Sequence, residues 1–429
     1  DYMYSYPHKT AYRPFPAPVS LLPYLEQLQG RKASLYFHIP FCSHKCGYCN
    51  LFSLQTNRTE YIATYLDTLH RQAQQLSPLT AGLTFDSFAI GGGTPLLLTV
   101  PQLEQLMATA ALFGVHPSHA FTSVETSPEY ADRPRLNVLK KAGVSRVSIG
   151  IQSFQDEELK AIKRRPRQNT IYQALDDIRQ MDFPYFNIDL IYGIKGQTVE
   201  SFLYSLEEAL RFQPNELFIY PLYVRQGTGI TEREPDDVCF RMYRAACKLL
   251  QAKGFLQTSM RRFIHHPSTD AEVSCGDEVM LSCGSGGRSY LGDLHYATRY
   301  TVCQQCIARE IDEYMATTDF TVARNGFILS AKEQQQRFII KNLMYYMGID
   351  KAEYTRRFGE PLDRTPLFRQ LAEQYWIEET PERIRLTPEG LGYSDYIGQL
   401  FITPEIRQLM ETYSYCCLLY TSPSPRDAH

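Results

Sequence analysis

The chain has a single tryptophan among its 429 residues and no run of about 18 apolar residues, the length a helix needs to cross a bilayer. No basic, apolar and small-residue stretch opens it, so the pattern of a secretory signal is missing. Charge of one sign is missing too. The 44 Lys and Arg nearly balance 47 Asp and Glu, for a net charge of -3. That leaves no basic footprint for a nucleic acid or an anionic membrane. No repeat of fixed period appears. The eleven cysteines are odd in number and widely spaced, which argues against a secreted disulfide framework. In a reducing compartment, clustered cysteines serve instead as metal ligands or reactive thiols. With 44% hydrophobic and 21% charged residues, the composition is that of a globular protein and excludes disordered or collagen-like chains. These features predict a cytoplasmic protein with no membrane span and no nucleic-acid partner.

Both ends are set apart from the fold. The first residue is Asp1, so the reading frame is expected to be cut at its start. Residues 417–429, beginning Cys417-Leu-Leu-Tyr-Thr-Ser-Pro-Ser-Pro, resemble the translation of a sequencing-library adapter and are read as an artefact. A missing native C-terminus would follow.

Between the ends, short apolar runs alternate with longer amphipathic ones. Residues 1–33, rich in Tyr and Pro, read as an extended lead-in with a short helix near Leu21–Gln29. Candidate strands follow at Ser34–His38, Phe85–Ile90, Phe121–Glu125, Arg146–Ile151, Tyr185–Leu190 and Glu216–Tyr220, separated by helical patterns. Strand then helix, repeated, predicts a parallel sheet with helices outside; right-handed crossovers curl it into a partial barrel. This α/β core spans 34–225. Residues 226–329 complete it, with a helix over 239–253 and a Gly-, Ser- and Cys-rich stretch at 267–306 read as loop with short elements. Residues 330–405 form a second unit of helices and a hairpin (Trp376–Glu379, Arg383–Thr387), winged-helix-like but without the Lys/Arg stripe that phosphate contacts need.

The chemistry concentrates after the first strand, in Cys42-Ser-His-Lys-Cys46-Gly-Tyr-Cys49. Three thiolates on one loop can hold three irons of a 4Fe-4S cluster and leave the fourth open. The alternative is zinc, with His38 or His44 as fourth ligand. Gly91-Gly-Gly-Thr-Pro95 follows the second strand, where backbone stripped of side chains can approach a ligand, or simply turn. Glu125, Gln152 and Asp189 close the third, fourth and fifth strands. Polar groups at the C-terminal ends of barrel strands read as site residues.

The Cys-x3-Cys-x2-Cys spacing resembles the radical S-adenosylmethionine superfamily. Tyr36-Phe-His-Ile-Pro-Phe-Cys42, the glycine motif, Ser148-Ile-Gly-Ile-Gln-Ser-Phe154 and Asn187-Ile-Asp-Leu-Ile-Tyr-Gly193 are similar to its oxygen-independent coproporphyrinogen III oxidase and heme-chaperone branch. The resemblance is dense from Tyr36 to Tyr220. It thins through Cys283–Tyr290 and Arg385-Leu-Thr-Pro-Glu-Gly390.

The resemblance implies an oxidoreductase that cleaves S-adenosyl-L-methionine to a 5′-deoxyadenosyl radical, acting on a small, tetrapyrrole-related substrate, with flavodoxin or ferredoxin as electron donor. The alternative it carries is a heme-binding chaperone. Cys42, Cys46 and Cys49 would hold the cluster. Gly92, Gly93, Thr94 and Glu125 would meet the methionine ammonium and Arg164 its carboxylate. Gln152 and Asp189 would bind the ribose, Tyr48 would pack beside adenine, and Tyr36 would lie near the cluster and sulfonium. Two departures stand out. Leu51 occupies the place of the oxidases' fourth cysteine, and Leu256-Gln-Thr-Ser-Met260 replaces a chaperone motif. A third subgroup of the branch is expected.

Other signals are weaker. Cys303-Gln-Gln-Cys306 could join Cys275 and Cys283 around a second cluster, though buried or free thiols are preferred. His265-His266-Pro267 reads as a surface turn, and His295 faces substrate or water.

Overall fold

The computed structural model describes residues 5–116, 119–165, 168–225, 227–265, 279–362 and 365–414. The 417–429 segment, Cys275 and the His266-Pro267 turn lie outside them.

The core is one sheet of thirteen strands. In chain order these are β1 (Arg13–Ser20), β2 (Lys32–Ile39), β3 (Thr84–Gly92), β4 (Phe121–Thr126), β5 (Arg146–Gln152), β6 (Tyr185–Tyr192), β7 (Glu216–Pro221), β8 (Leu256–Gln257), β9 (Arg262–Ile264), β10 (Val279–Cys283), β11 (Arg288–Leu291), β12 (Leu294–Ala297) and β13 (Val322–Ile328). Across the sheet the order is β1-β13-β12-β11-β10-β2-β3-β4-β5-β6-β7-β9-β8. The stretch from β10 to β7 is parallel throughout, and its flanks are antiparallel. This is the partial α/β barrel the alternation predicts.

Period-two patterning decides which side chains face the helices. Leu35, Phe37, Ile39, Phe88, Ile90, Val124, Val147, Ile149, Ile188, Leu190, Leu217 and Ile219 are buried on the outer face. Against them lie apolar stripes of the crossover helices: Ile62, Leu66 and Leu69 of Thr59–Leu76, Leu103 and Leu106 of Val100–Ala111, Leu136 and Leu139 of Arg133–Lys141, and Ile171, Leu175 and Ile178 of Gln168–Met181. The alternate positions are polar and share the inner face by register. Ser34 pairs with Ser87, Ala89 with Ser123, Glu125 with Ser148, Ser148 with Asn187, and Asn187 with Glu216. Glu216 is fixed there by Arg146 at 3.2 Å and by Arg262.

One expectation needs correction and another is extended. Residues 13–20 are an edge strand of the sheet, pairing with β13 across a register shift between Pro14 and Val19. Prolines lack a ladder donor, and an edge strand tolerates them. In the stretch read as loop with short elements at 267–306, the short elements are β10, β11 and β12, and, beyond that expectation, β10 extends the parallel sheet past β2. Its Gly284–Gly287 turn masked the strands on either side.

A second apolar core gathers Phe338, Ile340, Leu343, Ile349, Phe368, Leu371, Ile384, Leu386 and Ile397 around a three-stranded sheet. Besides Ile377–Glu379 and Arg383–Leu386, that sheet contains Ile349–Asp350, a strand too short to read from the sequence. The N-terminal residues Tyr6 and Ala11 belong to this second core.

Candidate cofactor site

The cysteine loop leaves β2 through Pro40 and is pinned by two short strands, Phe41–Cys42 and Leu54–Gln55. Cys42 is buried, and its thiol is pushed up to about 11 by burial first, then by Cys49. Burial also raises Cys49, and Cys46 acts on both. The three sulfurs therefore occupy one neighbourhood, although among the described residues no three metal-ligating side chains converge on a single point. Zinc lacks its histidine. His38 Nε2 donates to the Phe52 carbonyl at 2.9 Å, so its Nδ1 accepts from the Tyr36 hydroxyl at 3.1 Å. Burial holds this ring at about 4, hence neutral. His44 donates through Nε2 to the Lys163 carbonyl at 2.8 Å.

Two residues tie the loop to the strand ends. Thr94 Oγ1 donates to Cys42 Sγ at 3.6 Å. Arg164 Nη1 lies 3.6 Å from Cys46 Sγ and 3.1 Å from the Tyr48 hydroxyl, while Nη2 donates to the Gly150 carbonyl. Burial opposes the Arg164 charge, and Tyr48 and Cys46 outweigh it, so the guanidinium stays ionised. The glycine motif leaves little room. A Cβ on Gly93 would sit 2.5 Å from the Phe41 carbonyl oxygen and 2.9 Å from Cys42 Sγ. Gly92 has φ +117° and donates its N–H to Glu125 Oε2 at 3.3 Å. A Cβ on Gly91 would meet Glu125 Oε2 at 2.8 Å and the Tyr36 hydroxyl at 2.9 Å, which places carboxylate and phenol side by side.

Glu125 is open to solvent along its strand yet walled by protein, and burial raises its carboxyl against the pull of Gly92 and Arg146. Asp189 is pushed up to about 7 by burial, opposed by the amide of Asn187, which donates to Asp189 Oδ1 at 2.7 Å and to Ser148 Oγ at 2.6 Å. Gln152 is buried with φ +75°, at the register shift that ends β5.

Asn187, Arg146, Ser53 and Lys45 were not singled out in the sequence. The signal for Asn187 and Arg146 was their polar inner-face position in otherwise apolar strands. Lys45, which donates to the Val302 carbonyl at 3.2 Å, gave none. Of the cysteines offered for a second cluster, Cys283 is buried on β10 and Cys306 on the helix Gln304–Ala316, while Cys275 lies outside the described residues. His295 is fully buried with its ring 4.4 Å from that of Tyr290, so it does not face water.

A thiol-bearing loop, a glycine turn and inner-face carboxylates at the ends of parallel strands lie together, groups that could hold a metal cluster and a cationic ligand. Comparison with known proteins gives the family. Residues 36–209 match the model of the radical SAM superfamily, and residues 329–392 that of the HemN C-terminal domain. The chain is 31% identical over 394 residues to the oxygen-independent coproporphyrinogen III oxidase of Salmonella typhimurium, covering 84% of this chain and 83% of that one. It is 27% identical over 386 residues to the heme chaperone HemW of Bacillus subtilis, covering 86% and 100%. The solved structure of coproporphyrinogen III oxidase (HemN) from Escherichia coli superposes with a TM-score of 0.81 at 23% identity, covering 94% of this chain and 97% of that one. The chain belongs to the radical SAM family of oxygen-independent coproporphyrinogen III oxidases and HemW heme chaperones, a family whose members bind a 4Fe-4S cluster and S-adenosylmethionine. Among the described residues, no helix is long and apolar enough to cross a membrane.

Proposed function

We propose that Cys42, Cys46 and Cys49 hold three irons of a 4Fe-4S cluster, and that the chain is an oxidoreductase using S-adenosylmethionine on a tetrapyrrole-related substrate. The observation that carries this is the contact between two residue sets. Thr94 and Arg164, assigned to the cofactor's methionine end, each reach a cysteine sulfur. Held by Cys42, Cys46 and Cys49, such a cluster would supply the one-electron reduction of S-adenosylmethionine on which radical chemistry at a substrate depends.

The protein's part is binding and orientation. Glu125, with the Gly92–Gly93 backbone, receives the methionine ammonium. Arg164 receives its carboxylate, for which a guanidinium fork is suited. Gln152 and Asp189 take the ribose hydroxyls. Tyr48, within 3.1 Å of Arg164, packs beside adenine, and Tyr36 stands at the sulfonium side next to Glu125. An external one-electron donor such as flavodoxin or ferredoxin is required.

Replacing all three cysteines by Ala should abolish the iron-sulfur absorbance near about 400 nm. Retention of about four irons and four sulfides per chain would sink the assignment. The second reading, a heme carrier, is favoured by Leu51 in place of the oxidases' fourth cysteine. Release of 5′-deoxyadenosine after reconstitution, dithionite and S-adenosylmethionine supports the enzyme; stable heme uptake without cleavage supports the carrier.

A further inference from the structure

Gln152 ends β5 buried and in the left-handed region, at φ +75°. A residue with a side chain keeps that conformation only where its surroundings enforce it. The residues that follow show what enforces it. Ser153 is fully buried, and its Oγ donates to Glu158 Oε2 at 2.6 Å. With its proton committed there, the same oxygen accepts from the Gln155 N–H at 2.9 Å. Ser205 Oγ accepts from the Phe154 N–H at 3.0 Å and donates to Ser153 Oγ at 3.4 Å. The short segment after Gln152 is thus held by side chains through its own N–H groups.

Glu158 is buried and also reaches the neighbouring strand. Its Oε2 accepts from Gln197 Nε2 at 2.9 Å and its Oε1 from Ser201 Oγ at 2.5 Å. Ser201 and Ser205 lie one turn apart on the helix Val199–Leu210, which brings both hydroxyls to one face. Gln197 Oε1 accepts from the N–H groups of Gly193 and Ile194, at 2.7 and 3.2 Å, where the chain leaves β6. Its Nε2 also donates to the Ile191 carbonyl at 3.2 Å. Leu190 of β6 is the register partner of Gln152. One carboxylate therefore joins the exits of two adjacent strands, those carrying Gln152 and Asp189.

Burying a carboxylate is costly unless its lone pairs are satisfied. Among the described residues Glu158 has no ion-pair partner, and three neutral donors satisfy it. A carboxylate only accepts, so all three can point at it; a glutamine amide would turn an N–H edge towards one of them. A buried polar network that is fully satisfied is rigid.

We infer that Glu158 is a positioning residue. It locks the exits of β5 and β6 to each other and, through Ser153, holds Gln152 aimed into the cofactor site. The inference rests on the cofactor reading above, which gives Gln152 and Asp189 the ribose hydroxyls.

The test uses the full, cluster-loaded chain, titrated by calorimetry with S-adenosylmethionine and with its 2′,3′-dideoxy analogue. Glu158→Gln and the milder Ser153→Ala should each weaken S-adenosylmethionine by about tenfold, the scale of one hydrogen bond, with iron content unchanged. The analogue lacks the hydroxyls and should bind the parent and both variants alike. Added to Gln152→Ala, Glu158→Gln should cause little further loss, because it acts through that side chain. Equal losses for cofactor and analogue, or additive losses with Gln152→Ala, would overturn the inference and leave Glu158 a packing residue. If Glu158→Gln fails to load iron, Ser153→Ala decides by the same comparison. If Gln152→Ala itself leaves S-adenosylmethionine binding unchanged, the ribose reading fails, and hydrogen exchange of the cluster-loaded chain without S-adenosylmethionine decides the lock alone. Faster exchange in the variants at both 153–155 and 193–194, with the rest of the sheet unchanged, upholds it. Unchanged exchange there, or loosening across the whole sheet, refutes it.

Discussion

Burial raises the carboxyls of both Glu125 and Asp189, and Arg146 is the cation that opposes it in each. If Glu125 takes an ammonium and Arg164 a carboxylate, each makes a charge-assisted contact of about 1.5–3 kcal/mol. Glu125→Gln and Arg164→Ala should then weaken S-adenosylmethionine binding by roughly 10- to 100-fold, read by calorimetry on the cluster-loaded protein. Exposed Arg165 points elsewhere, and Arg165→Ala should change little. Equal losses at 164 and 165 would mean a diffuse positive patch. Asp189 gives a pH signature without any cofactor. Its folded value of about 7 lies above the unfolded value near about 4, so the folded state holds the proton more tightly. The carboxylate is therefore a liability to folding that grows as pH rises from about 4 to about 7 and then levels off. Asp189→Asn should stabilise the cofactor-free protein at pH 8 by up to a few kcal/mol, of order 2–4, and by almost nothing at pH 4. A gain equal at both pH values would show that packing, not ionisation, is responsible.

Strands and glycine turns position these residues, and here the sequence was most legible. The alternation in Ser34-Leu-Tyr36-Phe-His38-Ile and in Asn187-Ile-Asp189-Leu shows both the buried face and the polar one, because side chains on a strand alternate strictly. The cysteine spacing and the ends of the β3, β4 and β6 strands were visible for the same local reason. What stayed hidden depends on tertiary partners. β1 is a proline-rich stretch that becomes a strand only because β13 lies beside it, and Ile349–Asp350 is a strand only by pairing with Arg383–Leu386. Lys45 gains its place through a carbonyl 257 residues away. At the glycine turn the prediction is steric. Gly93→Ala places a methyl against the Phe41 carbonyl, which is backbone and cannot swing aside. Cluster loading should fall together with thermal stability. An alanine variant that loads iron like the parent would show that the turn and the cysteine loop shift freely past each other.

At the scale of the molecule, the two apolar cores are joined by more than the chain between β13 and the helix Ala331–Leu343. We propose that residues 330–405 form a unit whose docking depends on the N-terminal segment. Tyr6 is buried in the second core and donates to Glu333, and Thr403 Oγ1 donates to the same carboxylate at 2.9 Å. Arg13 adds a bond to the Leu409 carbonyl at 2.6 Å. The same short segment carries Lys9 to the Tyr300 ring, whose hydroxyl donates to the Asn50 carbonyl beside Cys49, so the grip of the second core on Tyr6 reaches the edge of the cysteine loop. Buried Glu333 lacks an ion-pair partner among the described residues, and its two hydroxyl donors carry its solvation. Removing one leaves an acceptor in a dry place, at about 1–3 kcal/mol. Tyr6→Phe should lower stability to denaturant by that amount. It should also speed proteolysis at 329–332, just beyond the last strand of the large sheet, without new cuts inside 146–220. Thr403→Val should do the same, and the double variant should lose less than the sum, because both donors serve one carboxylate. Strict additivity, or an unchanged cleavage pattern, would mean that the N-terminal segment rests on the second core without holding it.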